Sequence, residues 1–139
     1  MLAGLRLADA RIDLTRWAEK ETVDDWSQGV PLAYQQEVCA YWADGYDFAA
    51  AQARLHRFPQ FRHQVDGLGI HFLHVRSKHA DAMPLLLAHT YPGSQLDFLD
   101  MIDPLVDPEA HGGSADQAFH LVIPSMPGFG FSTPVVETG

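Results

Sequence analysis

At 139 residues the chain is long enough for one ordinary domain, and 47% hydrophobic against 19% charged residues supply a packed core, which excludes a disordered segment. Eighteen acidic residues against nine basic ones leave a formal charge of -9, and no Lys/Arg cluster could follow a phosphate backbone, so nucleic acid is excluded as a partner. No apolar run reaches the roughly 18 residues that a membrane-crossing helix needs, and Met1 to Ala10 lacks the basic start and apolar core of a leader; the expectation is a cytoplasmic chain without a membrane span.

Two regimes follow one another, helix-rich and aromatic to about Phe58, then strand-rich and punctuated by Gly and Pro from about Phe61. The expected division is therefore 1–60 and 61–139. Leu5, Ala8 and Ile12 form a weak helical stripe, and an irregular stretch runs through Trp17 and Trp26 to Gly29. Pro31 suits a first helical turn, after which Tyr34, Val38, Tyr41 and Trp42 recur on one helix face, and Gly45 suits its end. Asp47 is placed to cap a short helix whose Phe48, Ala51, Leu55 and Phe58 share a face before Pro59 stops it. These aromatics are expected to pack.

From Arg62 to Arg76 the apolar period becomes two, with Asp66-Gly67 at the centre as a hairpin signal. Ile70 and Phe72 point one way, Leu73 and Val75 the other, which predicts a sheet covered on both sides. Leu85-Leu86-Leu87-Ala88, short and bounded by breakers, predicts a fully buried parallel strand. Ser94-Gln95-Leu96-Asp97 is patterned as a helix cap, followed by the stripe Phe98, Met101, Ile102 and Leu105, and Phe119 to Ile123 predicts another buried strand. Strand, helix, strand at this spacing is a βαβ unit, so the class is α/β.

Several blocks resemble the microsomal type of epoxide hydrolase. In the first part these are Asp24-Asp25-Trp26-Ser27-Gln28-Gly29-Val30-Pro31-Leu32, Tyr41-Trp42-Ala43-Asp44-Gly45-Tyr46-Asp47 and Arg54-Leu55-His56-Arg57-Phe58-Pro59-Gln60-Phe61. In the second they are Ile70-His71-Phe72-Leu73-His74-Val75-Arg76, His89-Thr90-Tyr91-Pro92-Gly93-Ser94, Ala110-His111-Gly112-Gly113 and the run Pro124 to Ser132. The resemblance implies a helical N-terminal meander followed by the first strands of an incomplete α/β-hydrolase sheet. It also implies an activity, hydrolysis of an epoxide to a vicinal diol through an Asp ester, that takes no cofactor and no metal. Of the catalytic parts, it assigns to this chain the loop His89, Thr90, Tyr91 and Pro92, in which the backbone N–H of Tyr91 points at the ester's oxyanion. Thr90 stands where the family has Gly, which matters if the backbone there needs φ > 0.

No Gly-x-Asp-x-Gly or Gly-x-Ser-x-Gly elbow occurs; Gly112-Gly113-Ser114-Ala115-Asp116 has the residue types at the wrong spacing and is expected to be a turn. In the family the nucleophile, base and lid lie downstream, so the expectation is a chain that is inactive alone and meets an epoxide only when completed. Two alternatives are a split hydrolase, completed by a second polypeptide or self-associating through an open sheet edge, and a non-catalytic binding module.

The eight histidines carry no metal-ligand spacing, since His71 and His74, three apart on a strand, point to opposite faces. His89 is expected to hold its loop and not to act as a base. Gly128-Phe129-Gly130 lacks the third glycine of a dinucleotide fingerprint, with Thr133 in its place. The single cysteine, Cys39, is expected to be a buried, inert thiol.

Overall fold

The computed structural model describes residues 11–136. The chain divides into two compact units, Met1–Phe48 and Ala49–Gly139. No helix among the described residues is long and apolar enough to cross a membrane.

In the first unit, residues 11–13 are helical; Leu5 and Ala8 of the expected stripe lie outside the described residues. Helix α1 (Leu32–Ala40) starts after Pro31, whose φ of -58° and ψ of 141° place it just outside the helix. Its first N–H, from Leu32, donates to Glu21 Oε2 at 2.9 Å, a cap supplied from eleven residues upstream. That hydrogen bond holds the Glu21 carboxyl below the usual carboxylate range. The helix widens into a π-helical turn (Tyr41–Gly45), where a Cβ on Gly45 would sit 2.7 Å from the Tyr41 ring. The expected packing stripe is corrected here: α1 buries no residue, and Tyr34, Val38, Tyr41 and Trp42 are 43–58% exposed. The aromatics contact one another instead, Trp26 on Tyr34 at 5.1 Å and Tyr46 on Phe48 at 4.7 Å, both edge-on. Cys39 is half-buried, not buried.

The second unit holds the core. Helix α2 (Phe48–His56) delivers Leu55, and the turn after it Phe58, both buried. Strands β1 (Gln60–Val65) and β2 (Leu68–Val75) pair antiparallel around Asp66 (φ 48°) and Gly67 (φ 81°), the two left-handed residues of the turn type that matches strand twist. Alternation along β2 buries Gly69, His71 and Leu73 on the core side. The other face is only partly covered, which corrects the expected two-sided burial: Phe61 stacks on Phe72 at 5.7 Å yet stays 47% exposed.

Strands β3 (Met83–Leu86) and β4 (Phe119–Pro124) complete a sheet of order β1-β2-β4-β3, with β4 antiparallel to β2 and parallel to β3. Between them run a 3-10 turn (Gln95–Phe98) and helix α3 (Leu99–Val106), the expected βαβ unit. β3 is not fully buried, as expected from its run of leucines, because it forms the edge: Met83 is 66% and Leu86 64% exposed, while Leu85 and Leu87 pack against the core. Leu87 N–H donates to Val122 O at 3.0 Å, so alternation turns the nitrogen of Pro84 away from β4, where its missing hydrogen leaves no ladder bond unmade.

The α3 stripe also shifts. Ile102 is fully buried and Phe98 and Leu105 pack against the core as expected, whereas Met101 is 46% exposed and Leu99 is buried in its stead. Leu55, Phe58, Leu73, Leu99, Ile102, Leu121 and Ile123 form one core cluster. Arg54–Asp100 and Arg57–Asp103, each at 2.6 Å, join α2 and the turn after it to α3 as exposed pairs worth about 0–1 kcal/mol apiece.

Candidate functional site at the carboxyl ends of β3 and β4

Parallel strands in an open α/β sheet leave a crevice beyond their carboxyl ends, and the loop leaving β3 lies there. Residues Thr90 to Gly93 make a tight turn with a cis Tyr91–Pro92 bond, closed by Gly93 N–H donating to Thr90 O at 2.7 Å. Gly93 has no room for a side chain, since a Cβ would meet Thr90 O at 3.0 Å and the Asp97 carboxylate. The expected cap is present: Leu96 N–H donates to Ser94 Oγ and Ser94 N–H to Asp97 Oδ2. Tyr91, at the tip, is 83% exposed, and its ring meets Phe129 edge-on at 6.3 Å.

Thr90 keeps φ negative; among the described residues Asp66 alone takes a positive φ without being glycine. The turn therefore makes no use at Thr90 of the freedom glycine would give.

Two buried side chains flank the loop. His89 is 6% exposed, and its Nε2 accepts from Met126 N–H at 3.1 Å while Nδ1 lies 3.5 Å from Thr90 O. An Nε2 lone pair committed in this way leaves the ring's proton on Nδ1. Gln95, 2% exposed, accepts from Ser125 Oγ at 2.9 Å.

Ser125 also approaches His71 Nδ1 at 3.0 Å, and His71 Nε2 lies 3.0 Å from Gln60 Oε1. Ser132 completes the cluster, taking His71 N–H at 2.9 Å and donating to Ser125 O at 2.7 Å. Thr133 then pins the following residues to the hairpin, exchanging hydrogen bonds with both the N–H and the C=O of Gly69. Buried polar groups of this density persist because each is paired.

Sequence reasoning placed His89, Thr90, Tyr91 and Pro92 in one loop, and the structure brings them together. It set His71 aside as a non-ligand and did not single out Gln95, Ser125 or Ser132. The available signal was the phase of β2, which puts His71 on the same face as buried Leu73.

Burial, and secondarily the Arg62 guanidinium, hold the His71 imidazole below its ordinary range. As the pH falls, the unfolded chain takes a proton at this position before the folded one does. The stability His71 contributes is therefore present above the ordinary imidazole pKa of about 6.5 and lost as the pH falls below it, through the lower folded value. Thermal unfolding midpoints measured from about pH 7 to about pH 5 are expected to drop, and the drop is expected to shrink in His71→Gln. Equal slopes in the two proteins would remove His71 from the account.

The sequence profile described as the epoxide hydrolase N terminus matches residues 3–98. A protein of Stigmatella aurantiaca (strain DW4/3-1) provisionally named an epoxide hydrolase is 57% identical over 93% of this chain and 29% of its own length. Epoxide hydrolase 1 of Oryctolagus cuniculus is 33% identical over 93% of this chain and 29% of its own length. Among solved structures, the epoxide hydrolase of Aspergillus niger superposes with a TM-score of 0.84 at 28% identity, covering 99% of this chain and 36% of that one. The juvenile hormone epoxide hydrolase of Bombyx mori gives 0.83 at 30% identity, covering 97% and 36%. The chain thus spans about a third of the length of the proteins it matches. With the mixed sheet, the capped βαβ unit and the Thr90–Gly93 turn falling on this common ground, the chain belongs to the epoxide hydrolase N-terminal family.

Proposed function

We propose that the chain supplies the N-terminal region and oxyanion loop of an epoxide hydrolase, with residues 1–60 as the meander and 61–139 as the opening of the hydrolase domain. In this chemistry an Asp carboxylate attacks an epoxide carbon, the C–O bond breaks, and the resulting ester is cleaved by water with a His base. The N–H of Tyr91, with a second N–H from the residue after the nucleophile, stabilises the negative oxygen that forms as the ester is attacked. The observation that supports this best is the placement of Tyr91, exposed at the tip of a tight turn beyond the carboxyl end of β3 and flanked by buried His89 and Gln95.

The 139 residues contain no elbow for a nucleophile, so the purified chain is expected to form no diol from styrene oxide above the uncatalysed rate. Diol formation well above that rate would overturn the proposal in its inactive form. A second reading is favoured by the exposed edge of β3, an apolar strand with one side unpaired within the described sheet. There the edge receives a second polypeptide carrying Gly-x-Asp-x-Gly. Co-expression is the check: a stable complex with activity supports it, and a monodisperse monomer beside such a polypeptide argues against it.

A further inference from the structure

We propose that Ser125 and Gln95 are positioning residues for the Tyr91 loop, and that a proton on His71 sets which way the Gln95 amide faces. Its functional meaning rests on the reading of Tyr91 N–H as the oxyanion donor; the coupling itself does not.

The loop stands on two feet. His89 holds Met126 N–H, and Gln95 holds the Ser125 hydroxyl, so consecutive residues at the end of β4 secure both sides of the five residues between. Gly130, at φ 52°, closes over the second foot: a Cβ there would lie 2.9 Å from Ser125 Oγ and 3.2 Å from Gln95 Oε1. In so confined a space the Gln95 amide has rotation in place as its means of changing partners.

Proton accounting links this foot to His71. Gln60 Nε2 donates to Leu55 O at 3.3 Å, which leaves Gln60 Oε1 facing His71 Nε2. That ring nitrogen therefore carries a hydrogen, since turning Gln60 would set its oxygen against the Leu55 carbonyl. The Ser125 hydroxyl has one hydrogen for two neighbours, His71 Nδ1 and Gln95. When His71 is doubly protonated, Nδ1–H donates to Ser125 Oγ, and the hydroxyl donates onward to the Gln95 carbonyl. When Nδ1 is bare it takes the hydroxyl's hydrogen, and Gln95 must then turn from the orientation seen, with its oxygen toward Ser125, to present its NH2 group. Gaining or losing one proton thus reverses the direction of the chain and turns the amide.

The groups facing the ring are fixed. Arg62 of β1 is the charged neighbour, paired with His71 across the hairpin, and Gln60 is the polar one. From the segment after β4 come Ser125, then Ser132, whose hydrogen is committed to Ser125 O, and the Phe131 ring edge-on at 5.1 Å. None of these supplies a second hydrogen to Nδ1.

The test is a pH titration of the 15N-labelled 139-residue chain by NMR, following the His71 ring nitrogens, the Gln95 side-chain NH2 and the Tyr91 backbone N–H. The expected result is one shared midpoint for all three. In Ser125→Ala, His71 is expected still to titrate while the Gln95 and Tyr91 signals no longer follow it. Should Ser125→Ala fail to fold, Gln95→Met keeps the volume and leaves Ser125 and His71 in place, and the Tyr91 response is expected to vanish. The proposal is overturned by a Tyr91 signal that stays flat through the His71 transition, by one that follows it unchanged in either variant, or by a His71 that takes no proton before the fold is lost. Coupling that persists in a chain contributing to no diol formation, even with a completing polypeptide, supports the positioning claim while removing the epoxide reading.

Discussion

Leu121→Ala is expected to lower the free energy of unfolding by about 3–4 kcal/mol, read as a shift in the urea midpoint followed by circular dichroism. Leu121 is fully buried and sits at the centre of β4, opposite Val75 of β2 and Leu85 of β3. Shortening it removes apolar contacts on the strand that joins the hairpin to the βαβ unit, and its neighbours are held by ladder hydrogen bonds that keep them from closing the gap. A domain of this size has a total stability of roughly 5–10 kcal/mol, so much of the margin is lost. Met101→Ala, on the same unit but 46% exposed, is expected to cost well under 1 kcal/mol. Comparable losses at the two positions would mean that the core does not lie where the burial places it.

Gly130→Ala is expected to cost about 2–3 kcal/mol, the sum of a left-handed conformation in a residue with a Cβ, about 1–2 kcal/mol, and displacement of the fully buried Ser125. Gly112→Ala is the matched control, since Gly112 has φ 85° and nothing within 4 Å of its added carbon. The difference between the two substitutions isolates the contact with Ser125 and Gln95 from the backbone term. Equal costs would show that the pair beneath Gly130 yields freely, and would weaken the case for a tightly held loop foot.

Much of the second unit was legible in its sequence because local rules and tertiary demands agree there. Asp66-Gly67 asks for two left-handed residues and gets them, and Ser94 with Asp97 closes the cap its spacing promises. The misreadings share a cause, in that periodicity reports which residues are apolar and not what covers them. Leu86 belongs to an apolar run yet lies 64% exposed, because neighbour identity in a sheet is a long-range property. Tyr34 and Trp42 follow the helical stripe faithfully and still face outward. The polar cluster was harder still. His71, Gln95, Ser125 and Ser132 come from four places in the chain, and only the folded register sets them at hydrogen-bonding distance.

Pro84 changes what the outer rim of the sheet can accept. With its nitrogen aimed outward and carrying no hydrogen, that rim offers the backbone N–H of Leu86 and a gap one step earlier. An arriving strand finds a short, one-ended template in place of a continuous ladder, so repeated stacking of identical chains is frustrated while a single well-matched strand is still admitted.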